Sequence, residues 1–180
     1  MSVTPADEVV SLITQDHAAV EQRFGEFDSA APETHGELFV KLRDQLVRHE
    51  YAEQAVVYPE LKGLDGGEKV VETRLAEEAA AEKALAELQK LEPGSPEFLA
   101  SLSGLRSSVL THAHNEETEV LPLLALQEDH DRLVYLAQKY KSAKLGSPTR
   151  PHPHAPKSSR ARKLLSPLTS FIDRMREPVH

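Results

Sequence analysis

The sequence predicts an all-α protein: an up-down-up-down four-helix bundle with a short fifth helix and a Pro/His-rich basic C-terminal tail. Three observations carry this. Ala, Leu, Glu and Lys abound while β-branched residues are sparse, which favours helix over sheet. Apolar residues recur at spacings of three and four in four long stretches, the pattern of a helix with one buried face. Short Pro- or Gly-containing breaks part those stretches, and short connections between long helices produce antiparallel neighbours. At 180 residues the chain holds one domain of ordinary size plus an appendage. Residues 1–144 are assigned to the bundle and 145–180 to the tail.

The elements follow in order. Thr4-Pro5-Ala6-Asp7 supplies a capping hydroxyl, a proline at the first helical position and an acid in the first turn. The helix it opens, roughly 5–29, carries the stripe Ile13, His17, Val20, Phe24, Phe27. After a break near Ala31-Pro32, the second helix, roughly 33–61, reads Leu42, Leu46, His49, Glu53, Val56. Gly63 to Gly67 part it from the third, roughly 67–91, with Val71, Leu75, Glu78, Glu82, Leu85. Glu92-Pro93-Gly94 ends that helix, and Ser95-Pro96-Glu97 repeats the opening grammar of the first. The fourth, roughly 96–126, reads Leu105, Val109, His112, Glu116, then Glu119 or Val120, then Leu123. A fifth, about 128–144, starts where Glu128-Asp129 suits a helix N-terminus. Recurring proline keeps Gly146 to Pro156 out of helix, and residues 161–176 read as one short amphipathic helix.

Composition narrows the chemistry. There is no Cys, which excludes disulfides, thiolate metal sites and thiol catalysis. No apolar run of membrane-spanning length and no charged-then-apolar leader is present, so the expectation is a cytoplasmic protein without a membrane partner. The net charge of −8 is unevenly spread: residues 139–180 hold ten Lys/Arg against two Asp/Glu, and the rest is strongly acidic. Such a tail either straps onto the acidic body or reaches an acidic protein partner. Helix-turn-helix grammar and base-stacking aromatics are missing, so nucleic-acid binding is not expected.

Every stripe is interrupted at mid-length by His or Glu, and an internal repeat sharpens the pattern. Shifting residues 42–61 by 63 positions gives seven identities in twenty, among them His49/His112, Glu53/Glu116 and Pro59/Pro122. Shifting 9–28 by 61 gives six in twenty and lays His17 on Glu78. The chain reads as two related helical hairpins sharing a His-x-x-x-Glu-x5-Pro frame. Positions i and i+4 stand one above the other on a helix, so each frame presents an imidazole and a carboxylate in one direction. Antiparallel pairing brings both frames level with His17 and Glu78. One unpaired buried carboxylate costs on the order of several kcal/mol, and metal ions would supply the offsetting charge. Three His and three Glu around two divalent ions leave a net charge of about +1, which one hydroxide would neutralise. Imidazole and carboxylate without thiolate suit iron or manganese, with zinc as an option. A metal-free polar network is the other reading of the same residues.

His17, His49-Glu50-x-x-Glu53 before Tyr58-Pro59, and His112-x-x-x-Glu116-Glu117 before Pro122 resemble the hemerythrin/HHE cation-binding family over about residues 5–140. The resemblance implies a hemerythrin-like bundle and a non-haem di-iron site with an oxo or hydroxo bridge. It implies His17, His49, Glu53, His112 and Glu116 as metal ligands, the two Glu bridging the ions. The departure is on the third helix, where the family provides His and this chain has none. Glu78 stands at the expected position and Glu82 follows one turn later; either one is the replacement. A carboxylate in place of an imidazole adds negative charge, which favours ferric iron and oxygen or peroxide chemistry over reversible oxygen carriage; weaker iron binding or preference for another metal is the equal alternative.

Other candidates have plainer readings. Glu50 points about 100° away from His49 and is expected to orient a ligand His rather than to bind metal. Tyr51 and Tyr58 read as packing tyrosines, and His35, His114 and His130 as surface histidines. His152 and His154 form a short His-rich tract within an extended Pro-rich strap. The expected function is a di-iron protein reacting with O2, hydrogen peroxide or nitric oxide, an oxidoreductase if it turns over. The alternatives are an O2 or iron sensor or carrier that reports through the basic tail, a structural bundle, and a haem-binding bundle.

Overall fold

The computed structural model describes residues 8–147; the Thr4-Pro5 helix start, His152, His154 and the helix expected at 161–176 lie outside the described residues. Five helices follow one another: α1 (Val9–Glu26), α2 (His35–Ala52, carried on by a π turn Glu53–Val57 and a last turn Tyr58–Leu61), and α3 (Gly67–Leu88). Then come α4 (Pro96–Asn115, a π turn Glu116–Val120, then Leu121–Gln127) and α5 (His130–Gly146). No strand occurs among the described residues, and no helix there is long and apolar enough to cross a membrane. The first four helices pack α1 on α2, α3 on α4 and α4 back on α1, while α5 lies against α1 and α2.

Local chemistry marks the ends. The Ser95 hydroxyl accepts the Phe98 N–H at 3.1 Å, and the Asp129 carboxylate accepts the Arg132 N–H at 2.8 Å, each satisfying a donor the first helical turn leaves open. Gly66 enters α3 with φ 77, a left-handed conformation that favours glycine. A Cβ on its neighbour Gly67 would stand 1.8 Å from the Leu61 carbonyl oxygen.

The two π turns were not foreseen, and the prolines explain them. Pro59 and Pro122 have no N–H to continue an α-helix, and a proline ring clashes with the carbonyl four residues back. Widening the turn just before each proline avoids both problems: the Tyr58 and Leu121 N–H groups reach back five residues to the Glu53 and Glu116 carbonyls. The extra residue also advances the buried stripe. Val57 and Leu124 are buried where Val56 and Leu123 were expected, and Val120 is buried rather than Glu119.

The core is split. One apolar cluster joins Val20, Phe24, Phe39, Leu46, Leu85, Phe98 and Leu105 from α1 to α4. The other joins Ile13, Val57, Leu61, Val71, Leu124 and, from α5, Leu133, Leu136 and Tyr140. Each fully buried Leu or Phe stabilises the fold by roughly 1.5–3 kcal/mol. Between the clusters lies a buried polar layer of His17, His49, Glu53, Glu78 and Glu116.

The glycines give a paired test. Gly67→Ala should destabilise by roughly 1–3 kcal/mol or more, because its methyl meets rigid backbone. Gly104→Ala, on an open face of α4, should stabilise by about 0.5–1 kcal/mol. Urea unfolding of both variants checks the pair; equal effects would contradict the tight α2–α3 turn.

Candidate metal centre

The polar layer is assembled from all four bundle helices. Mid-α1 supplies His17, α2 supplies His49 and Glu53, α3 supplies Glu78, and α4 supplies His112 and Glu116. Two donor sets form. One donor atom each from His17, His49, Glu53 and Glu116 lies within 4.8 Å of the others, and the same holds for Glu53, Glu78, His112 and Glu116. Glu53 and Glu116 belong to both sets, so two cations held here would share them. All three imidazoles turn Nε2 inward: His17 to Glu116 at 3.2 Å, His49 to Glu53 at 3.3 Å, His112 to Glu116 at 3.5 Å. The buried His112 Nε2 and Glu53 Oε2 make no hydrogen bond within the protein. Inward lone pairs of this kind suit a cation, because an unpartnered buried acceptor is otherwise a net cost.

The outward Nδ1 atoms are equally well placed. His17 Nδ1 lies 2.9 Å from Glu117, and His112 Nδ1 lies 2.8 Å from Glu77, which Arg74 and Asn115 also contact. His49 Nδ1 instead lies 2.8 Å from the Tyr140 hydroxyl on α5. An acceptor at Nδ1 fixes the tautomer that leaves Nε2 free to bind metal.

Charge is the problem the layer has to solve. Burial, then neighbouring carboxylates, pushes Glu50 and Glu53 well above the ordinary carboxylate range. Glu78 is pushed up to about 8, chiefly by burial, against hydrogen bonds from Tyr58 and Gln54 that lower it. Burial also works to raise Glu116, but its bond to His17 and the nearby imidazoles hold it down to about 2. The Tyr58 hydroxyl contacts Oε1 of both Glu78 and Glu116. Its single proton can serve only one of them at a time, so the other contact needs a proton on that carboxylate or a cation beside it.

The structure brings together six of the eight candidate site residues: His17, His49, Glu53, Glu78, His112 and Glu116. Glu78, not Glu82, takes the third-helix position; Glu82 sits half-buried one turn away, near enough to help raise Glu50 and Glu78. Nδ1 of the three imidazoles faces Tyr140, Glu117 and Glu77, so none is oriented by Glu50. It is buried with Oε2 unbonded, and lines a small cavity with Val20, Leu46, Ala81, Val109 and His112. Tyr58 is not merely packing, since its hydroxyl joins two carboxylates. His114 and His130 are exposed as expected, but His35 is buried, with its ring against Phe27. The contact comes from Phe27 just past the end of α1, with 5.5 Å between the ring centres. Sequence reasoning missed Glu77, Arg74, Asp16, Tyr140 and Lys144. Glu77 and Asp16 each directly precede a candidate ligand, a weak signal; nothing local marks Tyr140.

A pH dependence follows. Protons on Glu53 and Glu78 stabilise the fold in full below the ordinary carboxyl value of 4.5, and that contribution is lost as pH rises through about 8 for Glu78. His17 acts in the same sense: burial lowers it, but Glu116 and Glu117 raise it above 6.5 overall. His49, lowered by burial, opposes them, and Glu116 loses its contribution only as pH falls toward 2. The metal-free chain is therefore expected to lose thermal stability between pH 5 and 8. Added Mn(II) or Zn(II), which displaces those protons, should reverse the trend. Melting curves with chelator and with metal check this, and a metal-free Tm that climbs over that range would sink it.

Comparison with known proteins agrees with this geometry. Residues 8–124 match the hemerythrin HHE cation binding domain. Over 135 residues the chain is 25% identical to an uncharacterised hemerythrin-like protein of Schizosaccharomyces pombe, covering 74% of this chain and 66% of that protein. Over 137 residues it is 25% identical to a DNA nickase of Nostoc sp., covering 76% of this chain and 39% of that protein. The chain thus spans less than two thirds of either relative's length. No solved structure matches it. With a matched segment that contains both donor sets, the chain belongs to the hemerythrin HHE cation-binding domain family.

Proposed function

We propose that the chain is a non-haem di-iron protein whose centre reacts with O2, hydrogen peroxide or nitric oxide. The observation that carries this is the pair of four-residue donor sets sharing Glu53 and Glu116. Two shared carboxylates suit a dinuclear centre, and an all-nitrogen-and-oxygen donor set suits iron ahead of manganese or zinc. When bound, the iron pair would supply the electrons and the Lewis acidity. The protein's own share is orientation, charge and exclusion of water. Glu117, Tyr140 and Glu77 set the three imidazoles. Tyr58 and Gln54 donate to Glu78.

The cavity beside Glu50 is small and mostly apolar. That favours a diatomic molecule or peroxide over an organic substrate. Glu78 gives its donor set one imidazole where the other set has two. The extra carboxylate favours the ferric state there and turns the reading toward turnover of oxygen or peroxide rather than reversible carriage. Electrons would come from a partner, and the basic run from 139 to 180 is the segment suited to meet an acidic one.

Protein purified from iron-replete cells should hold two irons per chain with near-ultraviolet bands of a bridged ferric pair. A chain equally stable and metal-free under those conditions would overturn the proposal. Glu116→Ala, which removes a shared donor, should lose both ions with affinity down by more than about 100-fold. Glu78→His should make the reduced form slower to reoxidise, measured by stopped-flow absorbance; a faster reoxidation would contradict the charge argument.

A further inference from the structure

The family match ends at residue 124, yet the structure continues into a helix that touches the metal centre. Helix α5 brings Tyr140 across to His49, with 2.8 Å between the hydroxyl oxygen and Nδ1. Tyr140 is 1% exposed, and its ring meets the His49 ring edge-on at 6.5 Å. The hydroxyl proton is already committed, because it donates to Asp16 Oδ2 at 2.8 Å. Asp16 is in turn held by Lys144, one turn further along α5, whose ammonium reaches its two oxygens at 2.5 and 2.6 Å.

The order of these bonds leaves Tyr140 one role toward the imidazole. With its own proton on Asp16, it can only accept from His49, so the His49 proton sits on Nδ1 and the Nε2 lone pair faces the cluster. The other two imidazoles are set by carboxylates from within the bundle, Glu117 on α4 and Glu77 on α3. Of the three, His49 alone has a partner from beyond the four bundle helices; Asp16 Oδ2 on α1 also lies 3.6 Å from its Nδ1. His49 belongs to the donor set with His17 and is absent from the set with Glu78 and His112.

We propose that α5 is part of the metal centre. Tyr140, set by Asp16 and Lys144, is the positioning residue for the cation site that His49 shares with His17, so occupancy of that site and docking of α5 reinforce each other. This rests on the metal reading above and assigns one of its two sites a separate control. The linkage is reciprocal: a cation that prefers the Tyr140-set imidazole tightens α5 by the same free energy that docked α5 lends to the cation. Lys144 stands two residues before the last residue of α5. A load on that helix end therefore acts directly on the Lys144–Asp16 pair.

The test uses the full chain and Co(II) alone, titrated by its visible absorption. The wild type should bind two equivalents. In Tyr140→Phe one equivalent should weaken by roughly 10–100-fold, the usual effect of removing a hydrogen-bond partner of a ligand imidazole. The other should move by less than about threefold. His49→Ala should lose the same equivalent, and adding Tyr140→Phe to it should cost nothing further, because the two changes then share one interaction. Tyr135→Phe, an exposed tyrosine on the same helix, should leave both equivalents unchanged. Lys144→Ala, a partly exposed position that spares the core, should weaken the same equivalent several-fold. Amide exchange across residues 130–147 should slow on Co(II) loading in the wild type and much less in Tyr140→Phe. If the wild type binds two ions and Tyr140→Phe weakens both alike or neither, the inference fails while the metal reading stands. If the wild type binds no metal, both fall.

Discussion

Everything in this bundle is arranged around one constraint: several carboxylates are buried in a single layer, where they cannot all be charged without a cation. Glu53, Glu78 and Glu116 are each no more than 2% exposed. Without compensation their mutual repulsion and lost hydration would cost on the order of several kcal/mol apiece, comparable to the stability of a whole domain. The protein meets this partly with protons, kept on Glu53 and Glu78, and partly with the imidazoles crowded around Glu116. The two apolar clusters on either side hold the helices in register while the layer between them stays poised to exchange protons for metal.

The π turns tie backbone to chemistry. Each opens at a shared carboxylate, Glu53 or Glu116, and closes just before a residue followed by proline. The proline forces a wider turn, and the wider turn moves the apolar stripe forward by one position. The His-x-x-x-Glu-x5-Pro frame is therefore a backbone specification as well as a donor pattern. Its repetition at matching heights in α2 and α4 is what lets one carboxylate from each serve both donor sets.

Much of this was legible in the sequence. His49/Glu53 and His112/Glu116 announce themselves by spacing, and His17 and Glu78 by interrupting apolar stripes at mid-length. The helix breaks at Gly63 to Gly67 and Glu92-Pro93-Gly94 fall where the chain turns. What misled was direction at close range. Glu50 was expected to orient a ligand His, but its Oε2 is unbonded and it lines the cavity instead. His35 was read as a surface residue because it sits at a helix start, a position that says nothing of the Phe27 ring packed against it.

By itself the sequence determined the helices, the antiparallel hairpin repeat and five of the six donor residues, because those rest on periodicity and on i, i+4 spacing within single helices. Only the tertiary structure decided which carboxylates are shared, that Glu78 rather than Glu82 joins them, and what stands behind each imidazole. Those answers depend on distances between helices far apart in the chain. Tyr140 and Asp16 are separated by 124 positions and meet only because α5 folds back across α1 and α2. No local pattern encodes such a meeting, since the physics that selects it is the packing of the whole apolar cluster beneath α5.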